Sequence, residues 1–160
     1  MTVPPLPTSL TDGVVLRRAT DGDLAAIVEL LVDDPLGTMR DGGGDLGPYR
    51  RAFAAIDADP AHLLVVAEAD GTVVGTLQLT LVPGLSRRGA LRAQVEGVRV
   101  GRSHRGTGLG TALLGWAVEH ARASRCVLVQ LTSDKSRVDA QRFYERLGFV
   151  ASHEGYKLAL

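Results

Sequence analysis

With 160 residues, the chain is long enough for one domain with a single sizeable core and too short for two. Lys plus Arg and Asp plus Glu number 18 each, so the formal net charge is zero. No long-range field recruits nucleic acid or an anionic membrane, which leaves only local basic patches for such contacts. A single cysteine, Cys126, excludes an intramolecular disulfide framework, and no stretch reaches the roughly 18 apolar residues of a membrane span. Together with the lack of an apolar signal segment, this points to a reducing cytoplasm. The positive charge is nearly all Arg, with Lys only at 135 and 157, and Arg suits planar phosphate contacts.

Residues 1–12, rich in Pro, Thr and Ser, read as a loose arm ahead of a single domain over 13–160. Val14-Val15-Leu16 reads as a short strand. Thr20-Asp21-Gly22-Asp23 then offers caps for a helix that carries Leu24, Ile27, Val28 and Leu31 at three- and four-residue spacing and runs out by Asp33-Asp34-Pro35. The segment from Gly37 to Pro48 holds five glycines and is expected to be an irregular loop, either ligand-facing or a deletable surface feature. Tyr49, Phe53 and Ile56 share one side of a second helix that ends at Asp57-Ala58-Asp59-Pro60. The runs His62 to Glu68 and Thr72 to Val82 flank Asp70-Gly71, a strong hairpin signal. A turn with Arg87 and Arg88 leads into the strand around Glu96, which makes three adjacent antiparallel strands.

Gln94 to Thr111, QVEGVRVGRSHRGTGLGT, joins a strand to a glycine-rich turn, Arg105-Gly106-Thr107-Gly108-Leu109-Gly110, that runs straight into a helical pattern. Residues without a Cβ let backbone N–H groups converge, and the unpaired donors of a helix start point into the same space, which is the chemistry of an anion cradle. A triphosphatase loop would need Lys then Ser or Thr after its glycines, and Leu109-Gly110-Thr111 has none. A dinucleotide fingerprint would need a carboxylate near His120-Ala121-Arg122, and only one further βα unit follows. A tight turn that merely packs a helix on its strand is the bland alternative. Beyond the turn, Leu109, Leu113, Ala117 and Ala121 line one helical face, with Trp116 and His120 off its centre. Cys126 to Leu131 reads as a central strand with an inert buried thiol. A polar turn precedes a helix from about Arg137 to Leu147, ended by Gly148. Phe149-Val150 and Tyr156-Lys157-Leu158 read as the arms of a last hairpin.

No Cys or His cluster at metal spacing and no nucleophile elbow is present, so no metal is expected. Glu96 shares a face with Val98 and Val100 by the two-residue period. If that face is inward, burial would raise its pKa and suit a base near neutrality; if Val95, Gly97 and Arg99 face inward, Glu96 is solvated. Gly97 is also a candidate bulge that breaks the alternation. Tyr144, near the end of the last helix, reads either as a core residue or as a catalytic one.

At this point the chain resembles the GNAT superfamily of acetyl-CoA-dependent N-acetyltransferases. The resemblance rests on Val98-Arg99-Val100 followed by Arg105-Gly106-Thr107-Gly108-Leu109-Gly110-Thr111, and on Ala140-Gln141-Arg142-Phe143-Tyr144-Glu145-Arg146-Leu147-Gly148-Phe149. It runs from about Val14 to the end. It implies an α/β (α+β) fold with a mixed, twisted sheet of six to seven strands, splayed at the CoA cleft, and about four helices.

The resemblance further implies that pantetheine amides pair with backbone near Val98, Arg99 and Val100. N–H groups from Arg105 through Thr111 would hold the pyrophosphate. An acceptor amine would attack the thioester directly, with Glu96 at the position of a frequently used base and Tyr144 at that of the acid for the leaving thiolate. Arg137 stands where the family often has Asn; it can reach a phosphate or pantetheine oxygen but cannot copy an amide's paired donor and acceptor. The acceptor would meet Met39 to Tyr49 and Val82 to Arg92. There Arg87, Arg88 and Arg92 favour an anionic acceptor, whereas Asp41 and Asp45 favour an amine. A small-molecule amine is the expected partner, with a protein or peptide N-acetyltransferase and a non-catalytic acyl-CoA-binding regulatory module as alternatives. Homodimers through sheet edges or the last strands are a further expectation of the resemblance.

Overall fold

The computed structural model describes residues 2–33, 37–38, 41–42 and 44–160. These fall into two compact units, 1–130 and 131–160. The first carries most of a six-stranded sheet whose strands lie side by side in chain order. Strands β1 (Thr8–Thr11), β2 (Val14–Arg18), β3 (His62–Ala69), β4 (Thr72–Pro83) and β5 (Leu91–Val100) pair antiparallel in succession. Strand β6 (Leu128–Leu131) closes the row. The Val127 amide donates to the Leu91 carbonyl at 2.9 Å and Gln130 Nε2 to Gln94 Oε1 at 2.8 Å. Both partners advance by the same step, so β6 runs parallel to β5 and the sheet is mixed.

Local sequence accounts for most of these elements. Thr20 and Asp23 form a capping box, and helix α1 (Leu24–Val32) follows it, burying Leu24, Ile27, Val28 and Leu30. Asp23 also takes a two-pronged contact from Arg17, both bonds at 2.8 Å, and that guanidinium holds its carboxyl down at about 2. Helix α2 (Gly47–Ala58) starts with Pro in its first turn. Asp70 and Gly71 have φ of 48° and 74°, both left-handed, as a two-residue type I′ hairpin between β3 and β4 requires.

Helices α1 and α2 cover one face of the sheet and helix α3 (Leu109–Ala123) the other. Leu113 and Ala117 are wholly buried on α3, and a Cβ built on Gly75 would lie 3.2 Å from Leu113 Cδ1. On the other face Ala19, Ile27 and Val66 pack with Leu31, Phe53 and Leu64. In the second unit, helix α4 (Val138–Arg146) ends in a Schellman motif. The Phe149 amide donates to the Tyr144 carbonyl at 3.1 Å and the Gly148 amide to that of Glu145 at 3.0 Å. Gly148 supplies the required positive φ of 88°, and the Tyr144 and Phe149 rings make the accompanying apolar contact at 6.0 Å.

Four expectations change. The supposed arm contributes β1, which pairs Thr8 with Leu16 and Ser9 with Val15, so backbone pairing fixes what composition alone does not. Strand β6 begins at Leu128 rather than Cys126 and sits last in the sheet order instead of centrally. Residues 149–160 form no strand: Val150, Tyr156 and Leu158 are exposed, so no burial offsets the entropy of pairing a hairpin. Trp116, read as lying off the centre of the apolar face, is buried with it. Within the glycine-rich segment, Gly37 and Thr38 lie in a helical turn, whereas residues 39, 40 and 43 lie outside the described set.

Candidate active site

At the end of β5 the chain passes Gly101 and a short 3-10 turn, Arg102–His104, before reaching the glycines. Gly106 and Gly108 have φ of 78° and 90°, so each sits where a side chain is strained, and a Cβ on either would meet nothing within 4 Å. The backbone there faces open space. Gly108 is the N-cap of α3, and its carbonyl takes the first helical bond from the Ala112 amide at 3.0 Å. The amides of Leu109, Gly110 and Thr111 therefore precede the intrahelical ladder and point out of the helix end. Within the turn, the Arg105 amide donates to the Arg102 carbonyl at 3.3 Å and Thr107 Oγ1 to that of His104 at 2.8 Å. Open backbone, free helix-end donors and nearby guanidinium groups fit an anionic phosphate group.

Asp33, which follows the last turn of α1, binds two arginines of this turn. Its carboxylate accepts from Arg102 Nε at 2.6 Å and from the Arg105 guanidinium at 2.8 Å. Arg105 is also held by its Nε on the Val100 carbonyl and by a bond to the Asp33 carbonyl, both at 3.1 Å. Sequence reasoning reads Asp33 only as a helix stop. It lies 69 and 72 residues from its partners, and no local pattern marks it.

Glu96 lies on β5 in a register that answers the question of its face. Gln78 pairs with Glu96 and Thr76 with Arg99, so Leu77 alone stands opposite both Gly97 and Val98. That is a bulge, and Gly97 takes its left-handed position with φ of 61°. Ahead of the bulge Ala93 and Val95 are buried at 0% and 2%, so Gln94 and Glu96 face the other way. Glu96 is exposed, and Arg99 shares its face while Val98 and Val100 turn to the α3 side. The buried carboxylate in an apolar row is not found.

Next to Gly97, on the same face, is a cavity of about 180 Å³ lined mainly by Leu24, Ile27, Tyr49 and Phe53, with Thr76 and Gln78 as its polar floor. Tyr49 also accepts a hydrogen bond at 2.9 Å from the Gly42 amide, fixing part of the segment between α1 and α2. In the second unit, the half-buried Tyr144 is clamped between Phe143 and Phe149 at centroid distances of 5.4 and 6.0 Å. Arg137 is the N-cap of α4, and its amide donates to the Asp134 carbonyl at 3.0 Å. Gln141 Nε2 caps the carbonyls of Asp134 and Lys135 at 3.2 and 3.0 Å. Burial pushes the Cys126 thiol up, which keeps it from thiolate chemistry, and pushes His120 down, with Arg18 adding to the effect. No group of three or more His, Cys, Asp or Glu side chains is placed to hold a metal among the described residues.

The model of the Acetyltransferase (GNAT) family matches residues 19–149. This chain belongs to that family. As a GNAT protein it is an acyl-CoA-dependent N-acetyltransferase, and its six-stranded mixed sheet is the GNAT fold. It is 33% identical over 145 residues to an aminoalkylphosphonate N-acetyltransferase of Salmonella typhimurium, covering 91% of this chain and 90% of that one. To a glucosamine 6-phosphate N-acetyltransferase of Trypanosoma brucei brucei it is 37% identical over 90 residues, 56% of this chain and 59% of that one. Among solved structures, one described as a transcriptional regulator from Bacillus halodurans C-125 superposes with a TM-score of 0.88 at 46% identity, covering 92% of this chain and 99% of that one. No described helix of this GNAT protein is long and apolar enough to cross a membrane.

Proposed function

We propose that this GNAT protein transfers an acetyl group from acetyl-CoA to the amine of a small-molecule acceptor by direct attack in a ternary complex. The observation that carries this reading is the succession along β5. An exposed carboxylate at Glu96 and a bulge at Gly97 come first, then a glycine turn whose open backbone and helix-end amides suit a pyrophosphate. The two named N-acetyltransferase relatives support an amine acceptor of low mass.

In this reading Gly106 and Gly108 let the donor's pyrophosphate approach the backbone, and the first-turn amides of α3 hold it. Arg105 adds a guanidinium beside it, and Arg137 serves as a further phosphate contact. The edge of β5 beyond the bulge, Val98 to Val100, supplies backbone groups to the pantetheine amides.

The acceptor amine reaches the site as an ammonium ion, and Glu96, directly or through one water, takes its proton. A new C–N bond then forms at the acetyl carbon as the C–S bond breaks, and Tyr144 delivers its phenolic proton to the departing thiolate. As the amide forms, the attacking nitrogen loses its second proton to water, Glu96 loses its proton to solvent and Tyr144 is reprotonated from solvent. The cycle closes with one net proton released and without an acyl-enzyme.

Thiol release from acetyl-CoA over a panel of aminoalkylphosphonates, amino-sugar phosphates, polyamines, amino acids and short peptides tests the proposal. Acceptor-dependent release with a small amine is expected. Release only with peptides, or none with any amine, would overturn it.

A further inference from the structure

The sheet face that bears Glu96 continues past the helices as a polar floor. The registers Gln78↔Glu96, Thr80↔Gln94 and Val82↔Arg92 place Glu96, Gln94 and Arg92 on one side of β5, in line. His62 pairs with Thr80 in the neighbouring ladder and shares a hydrogen bond with it at 2.9 Å, and Gln130 joins Gln94 at 2.8 Å. One row of hydrogen-bonding side chains thus crosses β3, β4, β5 and β6, directly beyond the apolar cavity that ends at Gln78. A sheet face meant for a packed helix would carry apolar residues at these positions, as the opposite face does with Leu77, Leu79 and Val95.

Arg92 stands apart from the other two arginines near the β4–β5 turn. Arg87 and Arg88 are exposed on a left-handed turn, where their charge is solvated. Arg92 is half-buried, its Nε is sealed from solvent, and that atom has no hydrogen-bond partner among the described residues. Its guanidinium lies beside Gly84, where a built Cβ would be 3.5 Å from Arg92 Nη2. With Nε closed off, the half-buried guanidinium meets a ligand through its Nη groups, and a planar oxyanion is their natural partner.

We infer that this face measures the acceptor: the amine lies at Glu96, hydrogen-bonding groups lie over Gln94 and Thr80, and an anionic group ends at Arg92. Four residues of extended strand separate the two ends by roughly 13 Å between Cα atoms. Glu96 and Arg92 are long enough to reach toward a ligand held between them, so the acceptor is an amine with its anion roughly 8–10 Å away and polar groups between, as in a phosphorylated amino sugar. A two-carbon aminoalkylphosphonate is too short to touch both ends. The inference rests on the reading of Glu96 as the amine's end of the site.

The test is a ladder of ω-aminoalkylphosphonates from two to eight carbons, with a hexosamine phosphate, assayed for thiol release at saturating acetyl-CoA. The kcat/KM value should rise about tenfold or more from the shortest member to those spanning the two ends. Arg92→Gln should flatten the ratio of long to short by a similar factor, and Arg92→Lys should restore part of it. Gln94→Ala should weaken the hexosamine phosphate more than an alkyl chain of equal length. A preference for the two-carbon member, or an Arg92→Gln loss equal for all lengths, overturns the inference while leaving the N-acetyltransferase reading intact. If no amine is turned over, titration calorimetry of the same ladder into the CoA-saturated protein still reads the ruler, and binding independent of length overturns it.

Discussion

The glycine turn and the polar face of the sheet, joined through β5, encode their chemistry in different ways. The turn is written in adjacent residues: Gly106 and Gly108 supply left-handed backbone, and Leu109, buried at 1%, starts the helix that aims its amides. The face is written across strands. His62, Thr80, Gln94 and Gln130 are up to 68 positions apart in the chain and meet only through register. In the proposed reading, donor binding is thus a property of a short segment that tolerates change elsewhere, whereas acceptor binding depends on how several strands are aligned.

Substitutions that act on one region and spare the other sharpen this contrast. The largest effect is expected at Tyr144→Phe, which removes the proposed acid and should lower kcat by about 100-fold with little change in either KM. An equal loss in both KM values instead would mean that Tyr144 only supports the α4 end through its ring contact with Phe149.

Next is Asp23→Asn, remote from both regions. The Asp23 carboxyl is held at about 2 against an ordinary 3.8, chiefly by Arg17. A depressed carboxylate pKa contributes stability that is complete above 3.8 and is lost as pH falls through about 2. Removing the charge should cost about 2 kcal/mol at neutral pH and flatten the stability curve between those limits, as chemical denaturation would show. A wild-type stability that is already flat there would contradict the assignment.

Gly108→Ala follows, since a φ of 90° is strained for any L side chain. The KM for acetyl-CoA should rise about tenfold while acceptor KM stays near its wild-type value. The smallest effect belongs to Asp33→Asn. The variant keeps the bonds of Arg105 to the Val100 and Asp33 carbonyls but deletes the negative charge beside the cradle. Acetyl-CoA KM should therefore fall about threefold at low ionic strength and return to the wild-type value at high salt. A rise would show that orientation of the arginines outweighs their charge.

The same contrast explains what was legible in the chain. Hairpin, caps and helix ends follow from a few neighbouring residues, so Asp70-Gly71, the Thr20–Asp23 box and the Gly148 stop all read correctly from sequence. The face of Glu96 did not, because the two-residue period breaks at a bulge that only pairing with β4 reveals, although Gly97 marked it as a candidate. Asp33 carried no local signal for its contact with Arg102 and Arg105. The last hairpin failed for the converse reason: alternating residues were present, but Val150, Tyr156 and Leu158 found no surface to cover.

The measurement that bears most directly on the account is the initial rate of thiol release with acetyl-CoA and a turned-over amine varied together. Direct attack in a ternary complex predicts double-reciprocal lines that intersect, with no release in the absence of acceptor. Parallel lines, or an acceptor-independent burst of thiol, would mean that an acyl-enzyme forms and would contradict the roles given to Glu96 and Tyr144.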